Sequence, residues 1–327
     1  MIISIFKKNY FLQLIVLIML PLLLWMPAFI NPPKAIVSDK LDMPLYNLVL
    51  MALPSQSIIT TVIAFLLVIS QAFLINYIFT YYELTKKNSY FPAFMYLILS
   101  SCDYRTMTIS SILFANCFVI IALFSFLQCY NKGEGLDQIF LTAFLIAIAS
   151  LFYVPFVLLM LWIWFGLFNF KVYKWRPILV SFLGLFSPYL VLLVVYYLQN
   201  EIYTIINFFP QHFTIIPVLN FMNQPIQIVY MVYLAILIFS SLIYTMSYRN
   251  DQKLSIRKRT STIVILFVFS LLVFVYSMTE PTMSFIFVPT ICFLFTIFFF
   301  SIKRNLYSNL FIGILILLTI AKIYINY

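Results

Sequence analysis

Between Lys132 and Lys171 runs Gln138–Phe170, QIFLTAFLIAIASLFYVPFVLLMLWIWFGLFNF, with no charge anywhere in it. As one straight helix it would reach about 50 Å, well beyond the roughly 30 Å hydrocarbon core of a bilayer. A single tilted span would also put Lys132 and Lys171 on opposite sides. Cytoplasmic loops hold their cations because moving them across the bilayer is costly, so both flanks belong on one side. Ser150 and Pro155 lie near the middle, and a proline there interrupts a helix. The run therefore reads as two half-length helices that meet near Ser150–Pro155 and return to the side they left.

Charge extends that reading to the whole chain. Of 19 Lys and Arg, all but Lys34, Lys40, Arg105 and Lys322 fall on alternate loops. The retained set is Lys7, Lys8, Lys86, Lys87, Lys132, Lys171, Lys174, Arg176, Arg249, Lys253, Arg257, Lys258, Arg259, Lys303 and Arg304. Spans of full length are predicted at Phe11–Ile30, Ile58–Tyr82, Ile109–Cys129, Pro177–Leu198, Ile226–Tyr248, Ser261–Met278, Ser284–Phe300 and Leu306–Ile325. Ser89–Ser101 is a short third segment beside the two half-helices. The expectation is an all-α, polytopic membrane helix bundle of about 11 transmembrane segments, three of them short, with the N-terminus inside.

With 65% hydrophobic and 9% charged residues and a mean hydropathy of +1.08, no part reads as a soluble domain. The formal charge of +10 does not point to nucleic acid, because the cations cluster at the ends of apolar runs, where they meet lipid headgroups. Lys7 and Lys8 precede an apolar run too long for a signal peptide, which reads as a retained first span. Cys102, Cys117, Cys129 and Cys292 form no CxxC pair and read as small core residues. His212 is the only histidine, so haem on two histidines and iron or zinc on several are excluded. The 37 Phe and 23 Tyr read as lipid-facing bulk or as the lining of a lipid groove.

Sorting by side leaves five outward acids, Asp39, Asp42, Asp103, Glu201 and Glu280. Asp39 and Asp42 form D-x-x-D before Met43–Leu53, a stretch that reads as an interfacial helix, as does Ile202–Phe221. Three residues apart on a helix, the two carboxylates would share a face. A desolvated carboxylate at a membrane rim serves as a general base; a pair holds Mg²⁺ or Mn²⁺ with a phosphate-bearing substrate. Loop acids paired with Lys34 and Lys40 are the equal alternative. Asp103 and Arg105 end the short third segment, where Arg105 either clamps a lipid-linked phosphate or pairs locally with Asp103. Lys40 is a second candidate phosphate ligand, and Glu201, His212 and Glu280 are candidate supporting groups.

This layout resembles the GT-C superfamily of integral-membrane glycosyltransferases. The features are a first span leading to an acidic outer loop, an aromatic and basic inner turn from Asn76-Tyr77-Ile78-Phe79 to Lys86-Lys87-Asn88, the proline-broken pair Phe140–Trp164, and Lys174-Trp175-Arg176-Pro177 through Ser187-Pro188-Tyr189. More closely, Asn76, the Lys87-Asn88 to Pro92 turn, Phe152–Pro155 and Ser187-Pro188 are similar to a family of polytopic inner-membrane proteins of Bacteroidota. The resemblance covers most of 1–200, a GT-C-like core, and is weaker over the helices of 201–327.

What it implies is a bacterial inner-membrane protein of envelope biogenesis that uses a polyprenyl-phosphate-linked sugar at the outer leaflet. Asp39 or Asp42 would be the base and Arg105 the phosphate ligand, with inversion at the sugar carbon. No large outer domain follows to recognise an acceptor, and the adjacent acidic pair of many members is missing. A transporter or lipid flippase built on helices broken at Pro155 and Pro188, and a non-catalytic membrane scaffold, are the other expectations.

Overall fold

The computed structural model describes residues 3, 5–6, 10–33, 42–53, 57–85, 88–102, 104, 107–131, 135–200, 225–248, 252–276, 284–302 and 305–326. Among them the chain forms α1 (Tyr10–Ile30), α2 (Pro44–Ala52), α3 (Ser57–Tyr81), α4 (Phe91–Ser100), α5 (Ser111–Gln128) and α6 (Leu136–Phe152). A 3₁₀ turn at Val154–Leu159 leads into α7 (Met160–Asn169). The series ends with α8 (Trp175–Leu198), α9 (Pro225–Tyr248), α10 (Leu254–Tyr276), α11 (Ser284–Ser301) and α12 (Asn305–Asn326). Helices dominate because backbone N–H and C=O groups in lipid find no water and must bond within the segment.

Seven of these helices are long and apolar enough to cross a membrane, and four shorter apolar ones lie at Phe91–Ser100, Leu136–Phe152, Val154–Asn169 and Ile286–Phe300. That total matches the eleven passages expected. The protein is a polytopic helical membrane bundle. The helix of the next-to-last span, Ser284–Ser301, counts with the shorter group because its described apolar stretch is Ile286–Phe300.

The Gln138–Phe170 run is a hairpin. It starts against the end of α5, where Ser125 Oγ donates to Gln138 O at 3.2 Å. At the far end of α6 the Phe152 ring stacks on Phe114 and Phe118 near the start of α5, at 5.5 and 5.6 Å. The chain then comes back: Trp162 and Phe170 lie 4.8 and 5.4 Å from Phe126, near the end of α5. Its arms are longer than half-helices. At 1.5 Å per residue α6 covers about 25 Å, and the 3₁₀ turn with α7 covers about 27 Å.

Two glycines let this hairpin pack. A Cβ on Gly166 of α7 would meet the Phe126 ring at 2.4 Å, and one on Gly184 of α8 would meet Phe140 O at 2.6 Å and Ala143 Cβ at 2.9 Å. Close helix approach in membranes depends on such small residues.

The loops sorted by charge also sort in space. At one end, the basic end, Tyr82 after α3, Tyr130 after α5 and Arg259 near the start of α10 converge, and Asn169 of α7 meets Lys258. At the opposite end Trp25 Nε1 of α1 donates to Ser101 Oγ at 2.9 Å, and Tyr46 of α2 reaches Ile109 before α5. Helices from both parts of the chain share one core: Phe79 stacks on Phe293 at 4.7 Å, and Cys292 Sγ lies 3.1 Å from Pro92 O. The faces of α8 and α9 carrying Leu190, Val194, Val232 and Phe239 are exposed, as lipid-facing surfaces are.

Candidate functional site

At the end opposite the cations, the first loop is tied to the tip of the hairpin by backbone, and two prolines arrange it. The residue before a proline is steered away from α geometry, and Met43, ahead of Pro44, is extended at φ −107°, ψ 166°. Pro44 then starts α2, where its missing N–H goes unneeded. In the hairpin, Pro155 cannot donate to Leu151 O and its ring would clash there, so α6 stops and Tyr153 is extended at φ −146°, ψ 110°. The two extended pieces pair. Asp42 and Tyr153 form an antiparallel bridge, and Met43 N–H donates to Phe152 O at 3.2 Å.

Around the bridge the packing is dense. Met43 joins Leu151, Val154 and Leu192 in a small buried cluster, with Tyr189 and Tyr196 beside it. The Ser150 and Tyr189 hydroxyls lie 2.6 Å apart. On α2, Pro44 and Tyr46 are buried while Leu48 and Met51 are exposed, the sidedness of a helix lying on a membrane surface. Tyr46 OH donates to Ile109 O at 3.2 Å. Tyr104 OH donates to Asn31 O, which joins the third segment's loop to the end of α1. Thr108, 1% exposed, keeps its Oγ1 buried with no hydrogen-bond partner among the described residues.

Asp42 is the site acid that can be placed. It is 5% exposed, and its charge is felt next door: burial first, and then Asp42, push the Tyr46 phenol well above its ordinary range. One expectation needs correcting. Asp42 is extended and precedes α2, so the shared helical face argued for D-x-x-D does not exist at this residue. Asp39, Lys40, Asp103, Arg105, Glu201, His212 and Glu280 lie outside the described residues, as do Lys34 and Ile202–Phe221. Among the described residues no three His, Cys, Asp or Glu side chains converge on a metal position.

The structure also adds residues to the site and gives surroundings to cations that the pattern of charges only sorted by side. Tyr153 and Phe152 belong to the site through backbone pairing, which leaves no mark in side-chain type; Pro155 two residues on was the available signal. Lys322, expected near the outer end of the last span, is 4% exposed with its ammonium 5.0 Å from the centre of the Tyr230 ring. At the basic end, Tyr173, Lys174, Trp175 and Arg176 line a shallow surface recess, the mixture of aromatic and basic groups that suits the headgroup layer.

No protein-family model, curated protein or solved structure matches this chain.

Proposed function

We propose that the chain is a GT-C-type glycosyltransferase of the bacterial inner membrane, moving a sugar from a polyprenyl-phosphate carrier to an acceptor hydroxyl at the face opposite the cations. The observation that carries this reading is Asp42: an acid nearly removed from solvent, on the loop after the first long span, held by backbone to the tip of a membrane hairpin. A desolvated carboxylate in a fixed frame is what a general base at a membrane rim requires.

In the proposed step the acceptor oxygen attacks the anomeric carbon while its proton passes to the Asp42 carboxylate. The bond from that carbon to the carrier's phosphate oxygen breaks, and the electron pair leaves with the phosphate. Attack on the side away from the leaving group inverts the carbon, by the geometry that governs inverting glycosidases. Arg105 and Lys40 would take the charge on the departing phosphate, and Asp39 would serve as the alternative base or, with Asp42, as a ligand to Mg²⁺ or Mn²⁺. Asp103, Glu201, His212 and Glu280 are the supporting groups of this reading.

Ion-coupled transport draws less support. In the middle of the bundle a described polar chain is built of neutral groups: Tyr96 OH donates to Gln71 Oε1 at 2.5 Å, and Gln71 Nε2 donates to Leu113 O at 2.7 Å.

The test is complementation of a deletion strain by Asp39→Ala, Asp42→Asn and Arg105→Ala, with lipid-linked sugars and envelope glycans profiled. Accumulated carrier-linked sugar and a missing glycan are expected for Asp42→Asn, provided that variant reaches wild-type levels in the membrane. Normal profiles from all three would sink the transferase reading and leave a scaffold.

A further inference from the structure

Arg259 is the most deeply buried described cation at the basic end, and among the described residues its surroundings supply rings instead of a counter-charge. It is 7% exposed, with its guanidinium carbon 4.5 Å from the Tyr82 ring centre and 5.7 Å from that of Tyr130. Its Nε is buried with no hydrogen-bond partner among the described residues. Among the described residues no carboxylate pairs with it, and the described acids next to these elements in sequence, Glu83 beside Tyr82 and Asp137 at the start of α6, are exposed.

The neighbouring cation shows the contrast. Lys258 donates from its ammonium to Asn169 O, while Asn169 Nδ2 donates to Lys258 O and to Thr262 Oγ1, both at 2.9 Å. Lys258 is committed to the protein; Arg259 is stacked and held, with its Nε donor unspent among the described residues.

The cage around it is rigid. Tyr82 OH donates to Phe124 O at 2.7 Å, fixing one ring, and Tyr130 packs edge-on against Phe170 at 5.6 Å. A buried guanidinium without an acceptor is unfavourable, so its surroundings favour an anion. The planar fork of an Arg stacked on aromatic faces offers two parallel N–H donors, which match two oxygens of a phosphate. The cationic loops of this end add a field that concentrates anions there.

We propose that Arg259, caged by Tyr82 and Tyr130, binds a phosphate group at the basic end of the bundle. The group is either the phosphodiester of an anionic lipid headgroup or a free phosphate. This site is at the opposite end from Asp42 and does not depend on the transferase reading.

The test uses the full chain purified in neutral detergent, with thermal unfolding followed as phosphatidylglycerol, phosphatidylcholine or inorganic phosphate is added. Wild type is expected to show a saturable stabilisation by phosphatidylglycerol beyond that by phosphatidylcholine. Arg259→Gln should weaken it about tenfold, the loss of one charge-assisted pair of hydrogen bonds. Arg259→Lys keeps the charge and loses the fork, so it too should bind several-fold more weakly; it decides the matter if Arg259→Gln does not fold. Lys253→Gln, which removes an exposed cation of the same end, should bind as wild type does.

Stabilisation by inorganic phosphate that Arg259→Lys weakens, and that competes with the lipid, assigns the site to phosphate as such. Response to the lipid alone assigns it to a headgroup. Equal lipid response in wild type, Arg259→Gln and Arg259→Lys overturns the proposal, as does a wild type that distinguishes neither lipid and ignores phosphate.

Discussion

Asp42 and Tyr153 face each other across an antiparallel bridge, one on the loop after the first long span and the other at the tip of the α6–α7 hairpin. The bridge joins the only acid of the D-x-x-D motif that can be placed to the break that makes the hairpin possible. Pro44 and Pro155 create the two extended pieces, so the acid's position follows from chain stiffness as much as from packing.

Directly opposed residues of an antiparallel pair have Cα atoms about 4.5–5.5 Å apart, inside the range a disulfide spans. In a chain whose four native cysteines are replaced by alanine, Asp42→Cys with Tyr153→Cys should therefore crosslink under mild oxidation. The readout is a mobility shift on a gel that reductant reverses. Pairing of Asp42→Cys with a cysteine at Phe140, at the other end of α6, should give none. A crosslink efficiency equal for the two pairs would contradict the bridge.

Tyr46 yields a pH prediction. Burial and the charge of Asp42 raise its pKa above the ordinary value near 10. In the folded protein the phenol therefore stays protonated where the unfolded chain has begun to ionise. Its contribution is fully present below about pH 10 and is lost as pH rises beyond it, because the unfolded state then releases the proton first. Tyrosinate absorbance should show a subset of tyrosines that ionise only together with unfolding. Tyr46→Phe, which gives up the bond to Ile109 O, should lower neutral-pH stability by about 1 kcal/mol and reduce the alkaline decline. An unchanged alkaline slope in that variant would assign the decline to other groups.

Several features were legible in the sequence for simple physical reasons. Cations stay on one side of a bilayer, so sorting Lys and Arg by loop predicted the eleven passages and the return of Gln138–Phe170. That Met43–Leu53 holds a short helix of its own was legible too, and it forms at Pro44–Ala52. The lengths of the hairpin arms were not legible: a 3₁₀ stretch at Val154–Leu159 rises faster per residue than an α-helix and extends the second arm. The face shared by Asp39 and Asp42 was read from helical spacing, yet Pro44 delays the helix until after Met43. The special standing of Arg259 was hidden in the run Arg257-Lys258-Arg259, where three cations look alike until packing separates them.

The glycines separate by what surrounds them. Gly184→Ala brings a Cβ against the backbone oxygen of Phe140 at 2.6 Å, which cannot move without shifting α6. It should destabilise by about 2 kcal/mol, in the range for overpacking. Gly313 of α12 has nothing within 4 Å of the position a Cβ would take. Gly313→Ala should be neutral or stabilise by up to about 1 kcal/mol, since Ala suits a helix interior better than Gly. Thermal unfolding in one detergent measures both, and a Gly313→Ala variant less stable than Gly184→Ala would contradict the α6–α8 packing.

The buried pair Tyr96 and Gln71 makes the sharpest test of the bundle's centre. Tyr96 OH donates to Gln71 Oε1, Gln71 Nε2 donates to Leu113 O, and both side chains are fully buried. Tyr96→Phe leaves an amide oxygen without its donor, and Gln71→Leu strands the phenol and takes the second donor from the Leu113 carbonyl, which keeps its place in the α5 helix ladder. Each should cost about 1 kcal/mol, at the upper side of what such bonds contribute in membranes because no water reaches them. The double variant should cost less than the sum of the two, since removing both partners leaves neither the phenol nor the amide oxygen stranded. Strict additivity would mean that the two side chains do not meet, and the packing of α3 against α4 and α5 would need to be redrawn.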